Sequence, residues 1–239
     1  MQLKLEYRSA RYKYREDRGG IAYIENRVRK GDTVFDIGAH KGAYLNILLR
    51  QVGKNGRVIA FEPQRKLYDY LSRISAILPW DNVVVEHLAL SETNGTALLN
   101  ISINRKSRGT SPGASLVKNF EEDQMKVTET IQTETLDSYC QRNNIMPDFL
   151  KIDTEGNELS ILKGGDYMLT RYKPIIYVEI EARHAGEEKV METIDFLESR
   201  GYIGHFINGL KRIPVSQFSF NKYQNPADPK NYCNNFTFE

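Results

Sequence analysis

The sequence predicts an α/β fold in which strands and helices alternate around a mostly parallel sheet. Three short apolar segments, 34–37, 57–61 and 82–85, are separated by segments with apolar residues at helical spacing, and this alternation resumes after residue 135. Such alternation is typical of parallel sheets, because consecutive parallel strands need a helix-sized crossover between them. The chain has 239 residues and no visible linker, so we expect a single domain over residues 1–239.

The first element is a basic N-terminal arm and helix over residues 1–30. This segment contains nine Lys and Arg residues against four Asp and Glu residues, whereas the whole chain has a net charge of only +2. The cationic excess could contact an anionic partner. The simpler interpretation is a solvated helix face and a frayed arm, with a short helix at 19–30 that leads into the first strand.

The first strand and the glycine turn that follows it form the most informative segment. Residues 34–37 are apolar apart from Asp36, Gly38 and Gly42 lie four residues apart, and residues 42–52 carry an apolar stripe at helical spacing. A strand that runs through a glycine turn into a helix presents backbone N–H groups and the positive end of the helix at one point. This arrangement suits the polar end of a cofactor.

The second strand ends in an acidic residue, Glu62, which lies 20 residues beyond Gly42 and is followed by Pro63. A carboxylate at this distance is placed to accept hydrogen bonds from ribose hydroxyls. The turn lacks the G-x-G-x-x-G pattern of dinucleotide sites, and Asp36 would repel a phosphate but attract an ammonium group. The pattern therefore favours S-adenosylmethionine (SAM) over a nicotinamide dinucleotide. The alternative is an ordinary strand–turn–helix whose glycines only allow tight packing.

An insertion then interrupts the alternation. After a helix at 65–78 and a strand at 82–85, residues 94–132 contain two segments, 96–103 and 126–132, whose polar and apolar residues alternate. This pattern predicts an inserted antiparallel β-hairpin. The Ser-, Gly- and cation-rich stretch between the two segments is either a lid over a site or a loop without a function of its own.

The alternation of helices and strands resumes beyond the insertion. In chain order we predict helix 136–143, strand 147–153, helix 158–163, strand 174–181 and helix 187–200. Gly164 and Gly165 are a helix stop signal after the second of these helices. Two short β-like segments, 202–207 and 235–238, are predicted to pair as an antiparallel hairpin at one edge of the sheet.

Several segments together carry a family resemblance, namely VFDIGAHKG, IAFEP, HLALS, TLD, FLKIDTEGNELSILKG and IIYVEIE. Over roughly residues 30–185 the chain resembles the FkbM-type family of SAM-dependent methyltransferases. The resemblance implies the Rossmann-like class I methyltransferase fold, a seven-stranded sheet that is mostly parallel with one antiparallel strand. It also implies SAM as the cofactor and O-methylation of hydroxyls on sugars, polyketides and other secreted or secondary products.

The same resemblance implies which residues contact the cofactor. These are Asp36, Gly38, Ala39, His40, Gly42, Glu62, Pro63, Leu88, Ala89 and Asp153. Glu62 would hold the ribose, and Leu88 and Ala89 would flank the adenine. Asp153 would lie near the transferred methyl group. His40 stands where many relatives carry Asn, an exchange that we expect to be tolerated because the backbone carries the turn.

Methyl transfer to a sugar hydroxyl benefits from a general base, because such a hydroxyl is barely ionised at neutral pH. Four candidates lie at the ends of the predicted strands 147–153 and 174–181 or just beyond them, namely Asp153, Glu155, Glu181 and His184. Neighbouring parallel strands end in one crevice, so we expect these side chains to lie close together. Two alternatives stay open: Asp153 only orients the ammonium group of SAM, and Glu155 belongs to a helix N-terminal cap.

Two further charged residues lie in the same strands. We interpret Lys151 as paired with a carboxylate, and Glu179 as a buried charge that Lys151 satisfies. A metal held by Asp153, Glu181 and His184 is conceivable, because carboxylate oxygens suit Mg²⁺ or Ca²⁺. No tight ligand spacing supports such a site, so we expect no metal.

Composition narrows the location of the protein. The chain has only two cysteines, Cys140 and Cys233, and no apolar segment that approaches the length of a membrane span. A span needs about 20 apolar residues, and two cysteines do not make a disulfide framework. We therefore expect a cytoplasmic protein with reduced thiols and no membrane span.

The expected acceptor is a hydroxylated small molecule or glycan, and we expect no nucleic acid as partner. A nucleic-acid (RNA) methyltransferase is the alternative, which the basic arm and the cations at 105–108 favour. Against it, residues 153–156 read Asp-Thr-Glu-Gly, whereas amino-directed base methylation usually employs D/N-P-P-Y/F/W there. A third possibility is a SAM-binding protein without catalysis, or a nicotinamide oxidoreductase.

Overall fold

A central β-sheet organises the molecule. The computed structural model describes residues 2–78, 81–102 and 126–239. The strands in this part are β1 (Thr33–Ile37), β2 (Arg57–Phe61), β3 (Val83–Glu86), β4 (Ala89–Leu90), β5 (Gly95–Ser102), β6 (Lys126–Glu134), β7 (Phe149–Ile152), β8 (Ile175–Glu179), β9 (Gly204–Asn208), β10 (Lys211–Pro214) and β11 (Asn235–Phe238). Every strand predicted from the sequence is present, with ends that differ by a few residues.

Helices connect most of these strands. They are α1 (Gln2–Arg11), α2 (Arg18–Arg27), α3 (Ala43–Val52), α4 (Arg65–Ile77), α5 (Leu136–Asn143), α6 (Glu158–Lys163), α7 (Asp166–Tyr172), α8 (Ala182–Ala185), α9 (Glu187–Glu198) and α10 (Phe220–Tyr223), with a π-helical turn at Tyr12–Glu16 and a 3-10 turn at Val215–Gln217. None of the helices in the described ranges has the length and apolar character needed to cross a membrane.

Eight strands of the described chain form the main sheet, in the order β10-β9-β11-β8-β7-β1-β2-β3. The pairs from β8 through β7, β1 and β2 to β3 are parallel. Strand β11 is antiparallel to both β8 and β9. Seven strands thus give the expected pattern, mostly parallel with one antiparallel, and the antiparallel edge strand β10 is an addition that the sequence did not predict.

The predicted antiparallel pairing of the two C-terminal segments is confirmed, and the pair lies at one end of the sheet next to the edge strand β10. Within the pair β11 is the inner strand, between β8 and β9. The inner position of β11 agrees with the burial of its side chains, because Phe236 and Phe238 are fully buried. A strand with two buried aromatic side chains is more stable inside the sheet, where both backbone edges are paired, than at an exposed edge.

Two apolar cores lie on the two faces of the sheet. Residues alternate along β1, so Val34 belongs to the core with α2 and α3, whereas Phe35 and Ile37 belong to the core with α5, α6 and α9. This alternation follows from the two-residue period of a strand. Asp36 points to the same face as Val34 and is fully buried there.

The inserted hairpin is confirmed for its two strands. Strands β5 and β6 pair antiparallel, from Gly95 opposite Thr133 to Ser102 opposite Lys126. With β4 they form a separate three-stranded sheet of the described chain, in which β4 is parallel to β6. The stretch predicted as a lid or loop between them, residues 103–125, lies outside the described residues.

The interpretation of residues 2–16 as a frayed arm is wrong. Leu5 and Ser9 are buried in α1, and the Ser9 hydroxyl donates to the Ala43 carbonyl at 2.9 Å while it accepts from the Asn46 side-chain amide at 3.0 Å. Buried hydroxyls and amides need such partners. Helix α1 is therefore fixed on α3, and it brings the π-helical turn to the carboxyl ends of the parallel strands.

Candidate functional site

Two cavities lie at the carboxyl ends of the parallel strands. The first, here called the Glu62 cavity, is lined by the end of β1 with its glycine turn, the end of β2, the segment after β3, one side chain of β5 and the loop after β7. The second, here called the Lys151 cavity, is lined by α1, the π-helical turn, the glycine turn after β1, and the ends of β7 and β8. Four residues line both cavities, namely Gly38, His40, Asp153 and Glu155.

The glycine turn after β1 needs its glycines for two different reasons. Gly38 has a φ of +80°, and a Cβ at this position would lie 1.9 Å from the Asp153 carbonyl oxygen. Only glycine therefore lets the ends of β1 and β7 approach so closely. Gly42 has a φ of +77° and begins α3, where a Cβ would lie 3.0 Å from a Leu71 methyl group.

His40 lies within this turn with a left-handed φ of +49°. Asn and His are among the residues that tolerate this conformation best. Its backbone N–H donates to Glu62 Oε2 at 2.8 Å, so the backbone carries the turn as expected. The pKa of the His40 imidazole is lowered to about 3, mainly because the ring is buried and further because Lys41 and Lys151 lie nearby. The ring is therefore neutral. Its buried Nε2 has no hydrogen-bond partner among the described residues.

Glu62 is 2% exposed and is fixed by the backbone on both sides. Oε2 accepts from the His40 N–H and Oε1 accepts from the Gln64 N–H, both at 2.8 Å. Each carboxylate oxygen can accept a second hydrogen bond, so both can also serve a ligand. Burial raises the pKa of Glu62 to about 7, against the opposing effect of the two backbone bonds.

The far wall of the Glu62 cavity is apolar. Pro63, Leu88, Ala89, Leu90 and Leu99 line it together with Phe61. Three of them follow β3, and Leu99 comes from β5 of the inserted hairpin. The cavity thus has a carboxylate on one side and a wall of aliphatic side chains on the other.

Lys151 is a buried cation at the centre of the site. Its Nζ lies 3.0 Å from Asp36 Oδ1 and 3.7 Å from Asp153 Oδ2, and it donates to the Gly38 carbonyl at 3.0 Å. Burial alone would lower the pKa of Lys151, but attraction by Asp36 and Asp153 outweighs burial and raises it to about 12. The partners of Lys151 are therefore Asp36 and Asp153, and not Glu179 as the sequence suggested.

A second layer holds Lys151 in place. The ammonium lies 4.9 Å from the centre of the Tyr44 ring. The hydroxyls of Tyr44 and Tyr177 both donate to Asp17 Oδ2 at 2.6 Å, and Asp17 is also the N-cap of α2. The start of α2, the start of α3 and the middle of β8 are thus joined at one buried carboxylate beneath the site.

The loop after β7 presents Asp153 and Glu155 to the cavities. Glu155 has a left-handed φ of +59°, and the Glu158 carboxylate accepts from the backbone N–H groups of Thr154 at 2.9 Å and Gly156 at 3.1 Å. The first turn of α6 therefore fixes the loop through Glu158, so the capping role considered for Glu155 belongs to Glu158. Burial raises the pKa of Asp153 to about 6, with Lys151 opposing and Glu155 adding to the rise.

Glu181 and His184 lie behind Glu155 and line neither cavity. His184 Nε2 is 2.8 Å from Glu155 Oε2 and 2.9 Å from Glu181 Oε2. Burial alone would raise the pKa of Glu181, but hydrogen bonds from His184, Tyr232 and Arg183 lower it. Because its Nε2 already contacts two carboxylates, His184 orients Glu155.

One set of metal-type ligands occurs in the described part of the chain, namely Glu179, Glu181 and His184, whose ligand atoms lie within 4.8 Å of one another. The set considered from the sequence was Asp153, Glu181 and His184, so Glu179 takes the place of Asp153 in it. The Arg183 Nε lies 2.6 Å from Glu181 Oε2 and 3.0 Å from His184 Nε2. This guanidinium already supplies positive charge to the set, and we assign no metal to it.

Most of the residues predicted for the cofactor line a cavity, and two do not. Asp36 faces Lys151, and Gly42 lies behind the turn, so neither is in direct reach of a ligand in the two cavities. Several lining residues were not predicted from the sequence, namely Arg8, Arg11, Tyr12, Lys41, Tyr44, Gln64, Leu99 and Asn157. For the first three, no signal in the sequence connects α1 and the π-helical turn with the distant glycine turn.

Comparisons with known proteins identify the family and the fold of the chain. The chain matches the family model described as Methyltransferase FkbM domain over residues 36–203. Methyltransferase FkbM from Methylobacillus flagellatus KT has a similar structure, with a TM-score of 0.55 and 19% identity, over 87% of this chain and 44% of that chain. This chain therefore spans less than half the length of that protein. A comparison with curated proteins found no match.

A second solved structure shares the fold. Fibrillarin from Aeropyrum pernix, solved with natively bound SAM, has a TM-score of 0.51 and 11% identity, over 91% of this chain and 72% of that chain. At this identity the likeness shows the fold alone. The α/β architecture with a mostly parallel sheet is thus common to this chain and to both structures.

Proposed function

The chain belongs to the FkbM family of methyltransferases, and from this premise we propose that it transfers the methyl group of SAM to a hydroxyl of a sugar, glycan or secondary metabolite. Membership in this family identifies the chain as a methyltransferase. The cofactor contacts, the acceptor class and the role of each residue are the proposal.

The charge of the Glu62 cavity is the observation that carries this proposal. Three carboxylates, Glu62, Asp153 and Glu155, line it, and its described lining contains no Lys or Arg. Such a lining repels a diphosphate and attracts a cationic nucleoside. SAM fits, because it combines ribose hydroxyls with a sulfonium and an ammonium group and carries no phosphate.

The polar and apolar walls fit the parts of SAM separately. Glu62 has acceptor capacity left for two ribose hydroxyls. The aliphatic wall with Leu88 and Ala89 suits the faces of adenine. The buried His40 Nε2, which lacks a partner among the described residues, offers an acceptor or a donor to a ligand. Asp153 and Glu155 line both cavities, which suits a position near the sulfonium and its methyl group.

When bound, SAM supplies a methyl group that its positive sulfur already activates. The protein then has to align the acceptor hydroxyl and exclude competing water, and such positioning contributes a large part of the rate. The Lys151 cavity opens beside the four shared residues, so we assign the acceptor to it.

Asp153 is the base that we favour. It lies where the two cavities meet, and its pKa of about 6 makes it a stronger base than an ordinary aspartate while leaving it mostly ionised at pH 7. Lys151, 3.7 Å away, keeps the carboxylate charged and limits its position. Glu155 is the second candidate, and Glu181 and His184 are positioning residues for it.

The test is methyl transfer from SAM with an isotopically labelled methyl group, measured across three acceptor panels. The panels are sugars and glycosides, hydroxylated secondary metabolites, and transfer and ribosomal RNA. The proposal predicts label in at least one of the first two panels, and its loss with Asp153→Asn. Transfer only to RNA would assign the chain to the alternative function, and binding of NAD without binding of SAM would overturn the cofactor.

A further inference from the structure

The Lys151 cavity contains two cations whose charge is not balanced by a carboxylate in the described part of the chain. Of the four cations that line it, Arg11 is paired with Glu16, and Lys151 with Asp36 and Asp153. Arg8 and Lys41 form no ion pair within residues 2–78, 81–102 and 126–239. They come from two separate elements, α1 and the glycine turn.

The two cations are held close together by the fold. Arg8 Nη1 donates to the Lys41 carbonyl at 3.3 Å and to the Tyr70 hydroxyl at 2.5 Å, and the guanidinium lies 5.3 Å from the centre of the Tyr70 ring. Lys41 is partly buried, and burial together with the nearby Arg8 lowers the pKa of its ammonium. Two neighbouring like charges repel each other, so a bound anion would relieve an unfavourable interaction.

We propose that Arg8 and Lys41 bind an anionic group of the methyl acceptor, and that the acceptor is therefore a sugar acid or a sugar phosphate. This inference rests on the proposed function, because it names the acceptor class of the same site. Arginine forms paired hydrogen bonds to carboxylates and phosphates, and lysine adds a point charge.

The position of the two cations argues for the acceptor and against the nucleoside part of the cofactor. Arg8 and Lys41 line only the Lys151 cavity, whereas the carboxylates Asp153 and Glu155 line both cavities. An acceptor in the Lys151 cavity could therefore place its hydroxyl near the carboxylates and its anionic group near the cations. The remaining rival is the carboxylate of SAM, which the experiment separates.

The experiment uses the full chain and calorimetric titration with defined probes. Inorganic phosphate, D-glucuronate and uncharged D-glucose are titrated into protein saturated with S-adenosylhomocysteine (SAH) and into protein without it. We expect saturable binding of phosphate or glucuronate, with glucuronate alone indicating a carboxylate acceptor, and no binding of glucose at the same concentrations. Lys41→Gln and Arg8→Gln should each weaken anion binding by about tenfold or more, because each removes charge-assisted hydrogen bonds.

Matched variants keep the test decisive. Lys54→Gln removes an exposed lysine outside both cavities and should leave anion binding unchanged. Arg8→Lys keeps the charge and should restore much of the binding lost in Arg8→Gln. Thermal unfolding checks that each variant is folded. If Arg8→Gln releases α1 from its position, the proposal is judged from Lys41→Gln alone.

The results of these titrations decide the proposal. Normal SAH affinity in the variants with weakened anion binding supports it. Absence of anion binding to the wild type, or equal binding in wild type and variants, overturns it. A loss of SAH affinity in Lys41→Gln and Arg8→Gln also overturns it, because the cations would then hold the cofactor carboxylate. If the wild type binds anions but not SAH, the proposed function is wrong, whereas anion binding by Arg8 and Lys41 is still supported.

Discussion

Glu62, the residue that we propose for the ribose, shows at the scale of a single residue how the fold fixes a carboxylate. Two backbone N–H groups hold its carboxylate in a buried position, and burial raises its pKa to about 7. The sequence predicted the residue and its purpose from its distance to the glycine turn. It did not predict the raised pKa, which depends on how completely the surrounding chain removes water.

Glu62→Gln tests the ribose contact and its pH dependence. The hydroxyls of a bound nucleoside donate best to the ionised carboxylate, so SAH affinity of the wild type should rise about fivefold from pH 6 to pH 8, as Glu62 loses its proton. The variant should bind SAH more weakly by roughly 1.5–3 kcal/mol at pH 8 and show no such rise. Calorimetry at several pH values measures both effects, and an identical pH dependence in the two proteins would contradict the assignment.

Asp153→Asn tests the proposed base. Removal of a general base should reduce kcat by about 10²–10⁴ and leave SAH affinity within about twofold. In the wild type, kcat should fall as the pH drops below about 6, because the carboxylate then takes up a proton. Steady-state rates and SAH titration distinguish the roles: loss of SAH binding would identify a cofactor clamp. Asp81→Asn, at an exposed aspartate, is the control.

Lys151→Met tests whether this cation balances the buried acid Asp36. The variant leaves the fully buried Asp36 carboxylate without its cation, which should cost about 3–5 kcal/mol of unfolding free energy. Chemical denaturation measures it, and the double variant Asp36→Asn with Lys151→Met should recover part of the loss.

At the scale of elements, the glycine turn and helix α1 differ in how far the sequence reveals them. The strand, the two glycines and the helix are contiguous in the chain, so local spacing predicted the turn and its position at the strand ends. Helix α1 contacts α3 and the Lys151 cavity through tertiary packing alone. Its cationic residues give it the sequence pattern of a solvent-exposed helix. Only the burial of Leu5 and Ser9 distinguishes it from a frayed arm.

Leu5→Ala tests the docking of α1. Leu5 packs with Ile74 and Leu78 in a small apolar cluster, and its truncation should cost about 2–5 kcal/mol of docking free energy. Trypsin should then cleave after Arg8 and Arg11 faster than in the wild type, because α1 opens more often. Leu3→Ala, at a position that is 82% exposed, should leave the cleavage rate unchanged, and equal rates in both variants would contradict the docking.

At the scale of the whole molecule, the parallel half of the sheet was predictable and the antiparallel half was not. Helices join β1 to β2, β2 to β3 and β7 to β8, and local patterns reveal these helices. The position of β11 between β8 and β9 joins residues far apart in the chain, and no local pattern fixes that order. The same holds for the site: the residues after β1, β2 and β7 were predicted, and those from α1 were missed.

Phe236→Ala tests how strongly β11 couples the C-terminal residues to the core. The side chain is fully buried and contacts the rings of Phe206 and Phe218, so truncation should cost about 3–5 kcal/mol of unfolding free energy. Leu210→Ala, at a residue that is 66% exposed, should change stability by less than about 0.5 kcal/mol. Denaturant unfolding followed by circular dichroism compares them, and similar small effects would show that β11 is weakly held.

The central claim is that the Glu62 cavity binds the nucleoside of SAM. A crystal structure of the protein with SAH tests it most directly. We predict that the ribose hydroxyls lie within hydrogen-bond distance of the Glu62 carboxylate and that the adenine lies against Leu88 and Ala89. A nucleoside bound elsewhere, or side chains that close this cavity when SAH is present, would contradict the claim.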